Sequence, residues 1–98
     1  MLPDVVTAEI DTSHIYTRYY DVDQVEAIYV QSLPEVRNVF VLLRHDHYDD
    51  ELMDRLLDRE EEILDLYPDE LFNFQYLPLL EGDRTRPIPK NAVLILSR

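Results

Sequence analysis

One short stretch of the chain concentrates side chains that could do chemistry, the hexamer His45–Asp50, which reads His-Asp-His-Tyr-Asp-Asp. Imidazole and carboxylate groups are the usual ligands of zinc, manganese and iron sites. His45 and His47 are two positions apart, so in an extended chain both side chains point to the same side. Asp49 and Asp50 can add oxygen ligands from the start of a following helix. The pattern therefore predicts a candidate divalent-metal site formed by His45, His47, Asp49 and Asp50.

The hexamer resembles the first metal motif of metallo-β-lactamase-fold hydrolases, which runs His-x-His-x-Asp-His after a strand. His45, His47 and Asp49 match that motif, and Asp50 stands where its last histidine would be. The resemblance covers these six residues. The family's fold uses a longer chain with glycine-rich loops and further ligands downstream, whereas this chain has a single glycine and its third histidine, His14, lies upstream. We therefore take no function from the resemblance.

Other routes to catalysis lack the residues that they need. The absence of cysteine excludes thiolate catalysis, cysteine-based zinc sites and disulfides. A phosphate-binding loop or a dinucleotide fingerprint needs several glycines, and Gly82 is the only one. Ser13, Ser32 and Ser97 have no nucleophile-elbow context. These exclusions favour a protein without catalytic activity and without a cofactor other than a possible divalent metal.

Two elements must position the hexamer, a strand before it and a helix after it. The unbroken apolar run Val39–Leu43 predicts a buried strand over 36–44. The stretch Asp49–Tyr67 predicts a helix, because its apolar residues fall at helical spacing while its carboxylates lie off that stripe. Pro68 ends this helix. The apolar stripe consists of Leu52, Met53, Leu56, Leu57, Ile63, Leu64 and Tyr67.

The remaining segments complete an alternating order of strands and helices. Strands are predicted over 5–10 and 14–20, joined as a hairpin by Asp11-Thr12-Ser13, and further strands over 71–77 and 92–96 with a long loop between them. A helix is predicted from the N-cap Asp21 to Leu33. The order β, β, α, β, α, β, β predicts one α/β domain over residues 1–98. We expect a two-layer α/β sandwich, with a mixed sheet of about four to five strands and two helices packed mainly on one face. The predicted core includes Phe40, Val41, Leu42, Leu56, Ile63 and Phe74.

Charge is distributed unevenly along this acidic chain, whose formal net charge is −12. Between Asp46 and Glu70 there are twelve carboxylates against Arg55 and Arg59, a net charge of −10. From residue 84 onward there are four basic residues and no acid, a net charge of +4. Such a molecule can pair head to tail with itself or bind a partner that carries charges of both signs. Direct binding to nucleic acid is not expected, since that needs a positive surface.

These observations predict a small acidic protein-interaction or regulatory module. We expect a protein partner and a possible homodimer formed through a sheet face or edge. The lack of cysteine and of an apolar leader or membrane-length run predicts a cytoplasmic protein that does not bind membranes. One alternative is a metal-binding protein or metal-dependent hydrolase that uses His45 and His47. Another is an acidic inhibitor that imitates nucleic acid and blocks a basic groove.

Overall fold

A computed structural model of the chain describes residues 12–44, 50–78 and 88–97. Four strands in these ranges form one mixed sheet in the order β3-β2-β1-β4, with two helices. This confirms the predicted α/β fold class. In chain order the elements are α1 (Thr12–Tyr19), β1 (Val25–Ser32), β2 (Arg37–Leu43), α2 (Asp50–Leu66), β3 (Phe72–Pro78) and β4 (Val93–Ser97).

The centre of the sheet is an antiparallel hairpin formed by β1 and β2, in which Ile28 pairs with Val41. Leu33 donates its backbone N–H to the carbonyl of Val36 at 2.9 Å, which closes the turn around Pro34. Strand β4 pairs antiparallel with the other side of β1, whereas β3 lies parallel to β2. A parallel pair needs a crossover connection, and α2 lies within it.

Both helices contribute to one buried cluster on the same face of the sheet. Leu52, Leu56 and Ile63 of α2 are buried at helical spacing, and Ile15 and Tyr19 of α1 are buried four residues apart. The strands supply the other side of the cluster, including Ile28, Val30, Val39, Val41 and Leu43. Five of the six predicted core residues are buried, and Phe74 on β3 is half-buried.

Two predicted elements are wrong. The segment 14–20 is helical rather than extended, because Ile15 and Tyr19 both enter the core while Tyr16 between them is exposed. The segment predicted as a helix up to Leu33 contains β1 instead, and Pro34 ends that strand in a turn. The predicted partner strand over 5–10 lies outside the described residues.

The other predicted elements agree with the structure to within two residues. Strand β2 lies inside the predicted 36–44, and α2 lies inside the predicted Asp49–Tyr67. Strands β3 and β4 each begin and end one residue later than predicted. Within the described part of the chain, β3 and β4 are the two outer strands of the sheet.

Candidate functional site

Of the four predicted metal ligands, the structure describes Asp50 alone. His45, His47 and Asp49 lie outside the described residues. Asp50 is the first residue of α2 and is exposed, where its charge suits the positive end of the helix dipole. Among the described residues no three histidine, aspartate or glutamate side chains are grouped as a metal site would require. The metal site therefore stays a prediction.

The outward side of α2 carries an unbroken acidic surface. Each residue advances about 100° around a helix, and Leu56 and Ile63 mark the inward direction. Within about 70° of the opposite direction there are seven exposed carboxylates and no cation. We call this surface the acidic face; it consists of Asp50, Glu51, Asp54, Asp58, Glu61, Glu62 and Asp65. The exposed Arg55 and the half-buried Arg59 lie on its flank.

Several carboxylates of the acidic face lower the intrinsic stability of the helix that carries them. Carboxylates four residues apart repel, and each such pair costs about 0.2–0.5 kcal/mol on an isolated helix. Asp54 and Asp58 form one pair, and Glu61 and Asp65 form another. The last turn of α2 holds Asp65 and no basic residue, so it also opposes the helix dipole. The buried side of α2 offsets these costs.

A network of ion pairs ties the end of α1 to α2 through one member of the acidic face. Arg18 Nε lies 3.6 Å from Glu62 Oε1, and Arg59 Nη1 lies 3.4 Å from Glu62 Oε2. Arg59 Nη2 also lies 3.3 Å from an oxygen of Asp21, just after α1. Glu62 is thus shared between the acidic face and the contact between the two helices. We call this group the α1 clamp.

Two tyrosines and a glutamate form a second polar contact between the helices and β3. Tyr76 donates a hydrogen bond to Glu60 Oε1 at 2.8 Å, and its hydroxyl lies 3.3 Å from that of Tyr19. Burial raises the pKa of both tyrosines well above the ordinary value of the phenol. Both hydroxyls therefore stay protonated at neutral pH, and their hydrogen bonds join α1 and α2 to β3.

A third contact joins the opposite ends of the helices. His14 Nδ1 of α1 and the hydroxyl of Tyr67, just after α2, are 2.9 Å apart. Reasoning from the sequence missed this pair and the α1 clamp. The signal that could have found them is the helical spacing of Ile15 and Tyr19, which places His14 and Arg18 on neighbouring positions of the same helix.

The face of the sheet opposite the helices carries a row of side-chain amides. Asn73 donates to Asn38 at 3.1 Å, Asn38 donates to Gln31 at 2.8 Å, and Gln31 donates to Asn91 at 2.8 Å. Gln31 and Asn38 are register partners on β1 and β2, as are Asn38 and Asn73 on β2 and β3. We call these four residues the amide ladder.

Comparisons with known proteins returned no relative from which a function could be transferred. The chain matches no protein-family model, no curated protein sequence and no solved structure. Among the helices of the described residues, none is both long enough and apolar enough to cross a membrane.

Proposed function

We propose that the protein is a small interaction module that binds a basic protein partner through the acidic face of α2. The observation that supports this proposal is the group of seven exposed carboxylates, with no cation among them, on one side of a single helix. A surface of one sign steers a partner of opposite sign and favours its association. The proposed module has no catalytic residues and acts in the cytoplasm.

Solubility alone is a weaker explanation for the acidic face. A surface that only needs charge performs well with both signs interspersed, which also relieves repulsion along the helix. Here the repelling pairs and the acidic last turn lower helix stability. A basic partner would neutralise these charges, so the arrangement that costs stability in the free protein would favour the complex.

The proposal is tested by comparing two variants with the same change in net charge. Asp54→Asn, Asp58→Asn and Asp65→Asn together remove three carboxylates of the acidic face. Asp23→Asn, Glu35→Gln and Asp69→Asn remove three exposed carboxylates elsewhere. Each variant and the wild-type protein are used as bait in extracts of the native host, and the captured proteins are identified by mass spectrometry. Circular dichroism first establishes that both variants fold.

We expect a basic protein to be captured by the wild-type protein and the control variant and to be lost with the acidic-face variant. Its dissociation constant should rise by about tenfold or more when the acidic face is neutralised, and also with added salt. Equal binding by both variants would contradict the proposal. An equal loss with both variants would also contradict it, because binding would then depend on net charge and not on the acidic face.

A second candidate function is inhibition of a nucleic-acid-binding protein by imitation of its ligand. The seven carboxylates are distributed over about 22 Å of helix axis, one per roughly 3–4 Å. This is close to the roughly 3.4 Å per phosphate of one DNA strand and about half the charge density of the duplex. If this function is correct, DNA should compete with the module for the captured partner. Binding that DNA does not affect would exclude it.

A further inference from the structure

We infer that the acidic face and the docking of α1 are coupled through Glu62, so that a cationic partner on α2 loosens α1. This inference rests on the proposed function and adds a form of regulation to it. Glu62 belongs to the acidic face and is also the residue on which Arg18 and Arg59 converge. A cationic ligand at the acidic face competes with these two arginines for the same carboxylate.

The geometry of the α1 clamp makes such competition effective. At 3.6 Å the contact between Arg18 Nε and Glu62 is an ion pair and is too long for a hydrogen bond. Among the described residues the buried Arg18 Nε has no hydrogen-bond partner, so its attraction to Glu62 is electrostatic. The side chain of Glu62 is 47% exposed, which leaves it accessible to an incoming cation.

The short length of α1 makes this helix sensitive to loss of the clamp. An isolated helix of eight residues is marginal in water, so α1 depends on its contacts with the rest of the protein. Ile15 and Tyr19 stay buried and oppose release. Loss of the clamp therefore shifts the equilibrium between docked and released α1 without releasing the helix completely. Since exposed ion pairs change an equilibrium by at most about fivefold, the coupling has about this size.

The coupling runs in both directions. If a cation on the acidic face favours the open state of α1, then opening of α1 strengthens binding of the cation by the same factor. In the docked state Arg18 and Arg59 partly neutralise Glu62. Release of α1 removes Arg18 and Asp21 from the clamp and leaves Glu62 more available to the partner.

The experiment is native-state hydrogen exchange with a nona-arginine peptide as the cationic probe. The readout is the exchange of the amides of Tyr20 and Val22, which donate to carbonyls of Tyr16 and Tyr19 at the end of α1. Amides of β2 serve as the internal reference for global unfolding. Three proteins are compared: the wild-type protein, Glu62→Gln, and Glu61→Gln as a control that removes a neighbouring carboxylate outside the clamp. Binding of the peptide to these proteins and to the Asp54→Asn, Asp58→Asn, Asp65→Asn variant is followed separately by calorimetry.

We expect the saturating peptide to accelerate exchange at the end of α1 by about two- to fivefold in the wild-type protein and in Glu61→Gln. Glu62→Gln should exchange faster without the peptide and respond no further to it. If the peptide binds but leaves exchange at α1 unchanged, the coupling is overturned while the proposed function stands. If Glu62→Gln responds as strongly as the wild-type protein, the coupling through Glu62 is likewise overturned. Peptide binding that is unaffected by neutralising Asp54, Asp58 and Asp65 would instead overturn the proposed function.

Discussion

Arg37 donates two hydrogen bonds to a single oxygen of Glu70, from Nη2 at 2.6 Å and from Nε at 3.1 Å. Arg37 is 7% exposed and begins β2, whereas Glu70 lies in the connection between α2 and β3. A third bond runs from Nη1 to Ser32 at the end of β1. One buried cation thus joins the two central strands to the crossover connection.

The first prediction concerns this pair. Glu70→Ala leaves a nearly buried guanidinium without its carboxylate, which is costly because the charge cannot recover full hydration. Because the side chain of Glu70 is 31% exposed, the free energy of unfolding should fall by about 2–3 kcal/mol, less than for a fully buried pair. Denaturation in urea measures it. The Arg37→Leu, Glu70→Leu double variant should lose less than Glu70→Ala, since no buried charge remains; a larger loss would disprove this account.

The second prediction concerns alkaline pH. Burial raises the pKa of Tyr19 and Tyr76, so above about pH 10 these tyrosines ionise in the unfolded chain while they stay neutral in the folded protein. Their contribution to stability is fully present below the unfolded pKa and is lost as the pH rises above it. The free energy of unfolding should fall by about 1.4 kcal/mol per pH unit for each tyrosine. Tyr76→Phe should remove about half of this slope, and a slope that this variant leaves unchanged would contradict the prediction.

The third prediction concerns the core beneath α2. Leu56 is fully buried, so Leu56→Ala should lower the free energy of unfolding by about 2–5 kcal/mol. Its neighbour Leu57 is 46% exposed and provides the control, for which Leu57→Ala should cost well under 1 kcal/mol. Similar losses for the two variants would mean that α2 does not present this side to the sheet.

The fourth prediction concerns ionic strength. Repulsion among the acidic residues opposes folding, so added salt near neutral pH should raise the melting temperature. The Asp54→Asn, Asp58→Asn, Asp65→Asn variant should melt higher than the wild-type protein at low salt and respond less to its addition. A melting temperature that is flat or falls with salt would show that local ion pairs such as those of the α1 clamp outweigh the net repulsion.

The fifth prediction concerns His45 and His47. Two imidazoles with one or two carboxylates from a short stretch of chain are expected to bind zinc weakly, because helix capping competes for the carboxylates. Calorimetric titration with zinc and with manganese should therefore give dissociation constants weaker than micromolar. The His45→Ala, His47→Ala double variant is the control. Sub-micromolar binding that this variant loses would favour the metal-binding function over the interaction module.

Much of the fold can be predicted from local sequence patterns, because the residues of α2 and β2 each follow the pattern typical of one kind of element. In α2 the buried Leu52, Leu56 and Ile63 recur at helical spacing, with carboxylates between them. Only a helix places these three residues on one side and the carboxylates on the other. Strand β2 is an unbroken apolar run, as expected of a strand with neighbours on both sides. A strand followed by a helix and another strand favours a crossover, and the structure supplies the strand order, with β3 parallel to β2.

The sequence pattern in the first half of the chain predicts the wrong elements for α1 and β1, and the structure shows why. A β-bulge between Val25 and Ala27 interrupts the alternation of β1, so that Val25 and Ile28, three residues apart, both reach the helix-facing core. Together with Val22 they reproduce the spacing of a buried helix face. In α1, β-branched and aromatic residues favour a strand by propensity, but packing against α2 decides otherwise.

The candidate surface was predictable only in part. The acidic composition of 46–70 is visible in the sequence, and helical spacing already places most of its carboxylates outward. The ion pair between Glu62 and Arg18 was not predictable, because Arg18 approaches α2 only once 12–19 is known to be a helix. Contacts between elements distant in sequence cannot be read from periodicity alone.

The amide ladder has a consequence for how the sheet avoids incorrect pairing. Its hydrogen bonds require side chains of matching length at paired register positions on three adjacent strands. A slip of one residue between β1 and β2 would turn Asn38 to the opposite face, into the apolar cluster, and break its bonds to Gln31 and Asn73. Most other residues of β2 are apolar, so hydrophobic burial alone distinguishes poorly between the correct register of the hairpin and a shifted register. A hairpin with a shifted register would therefore lose the hydrogen bond between Asn38 and Gln31 and bury an amide among apolar side chains, which makes that register costly.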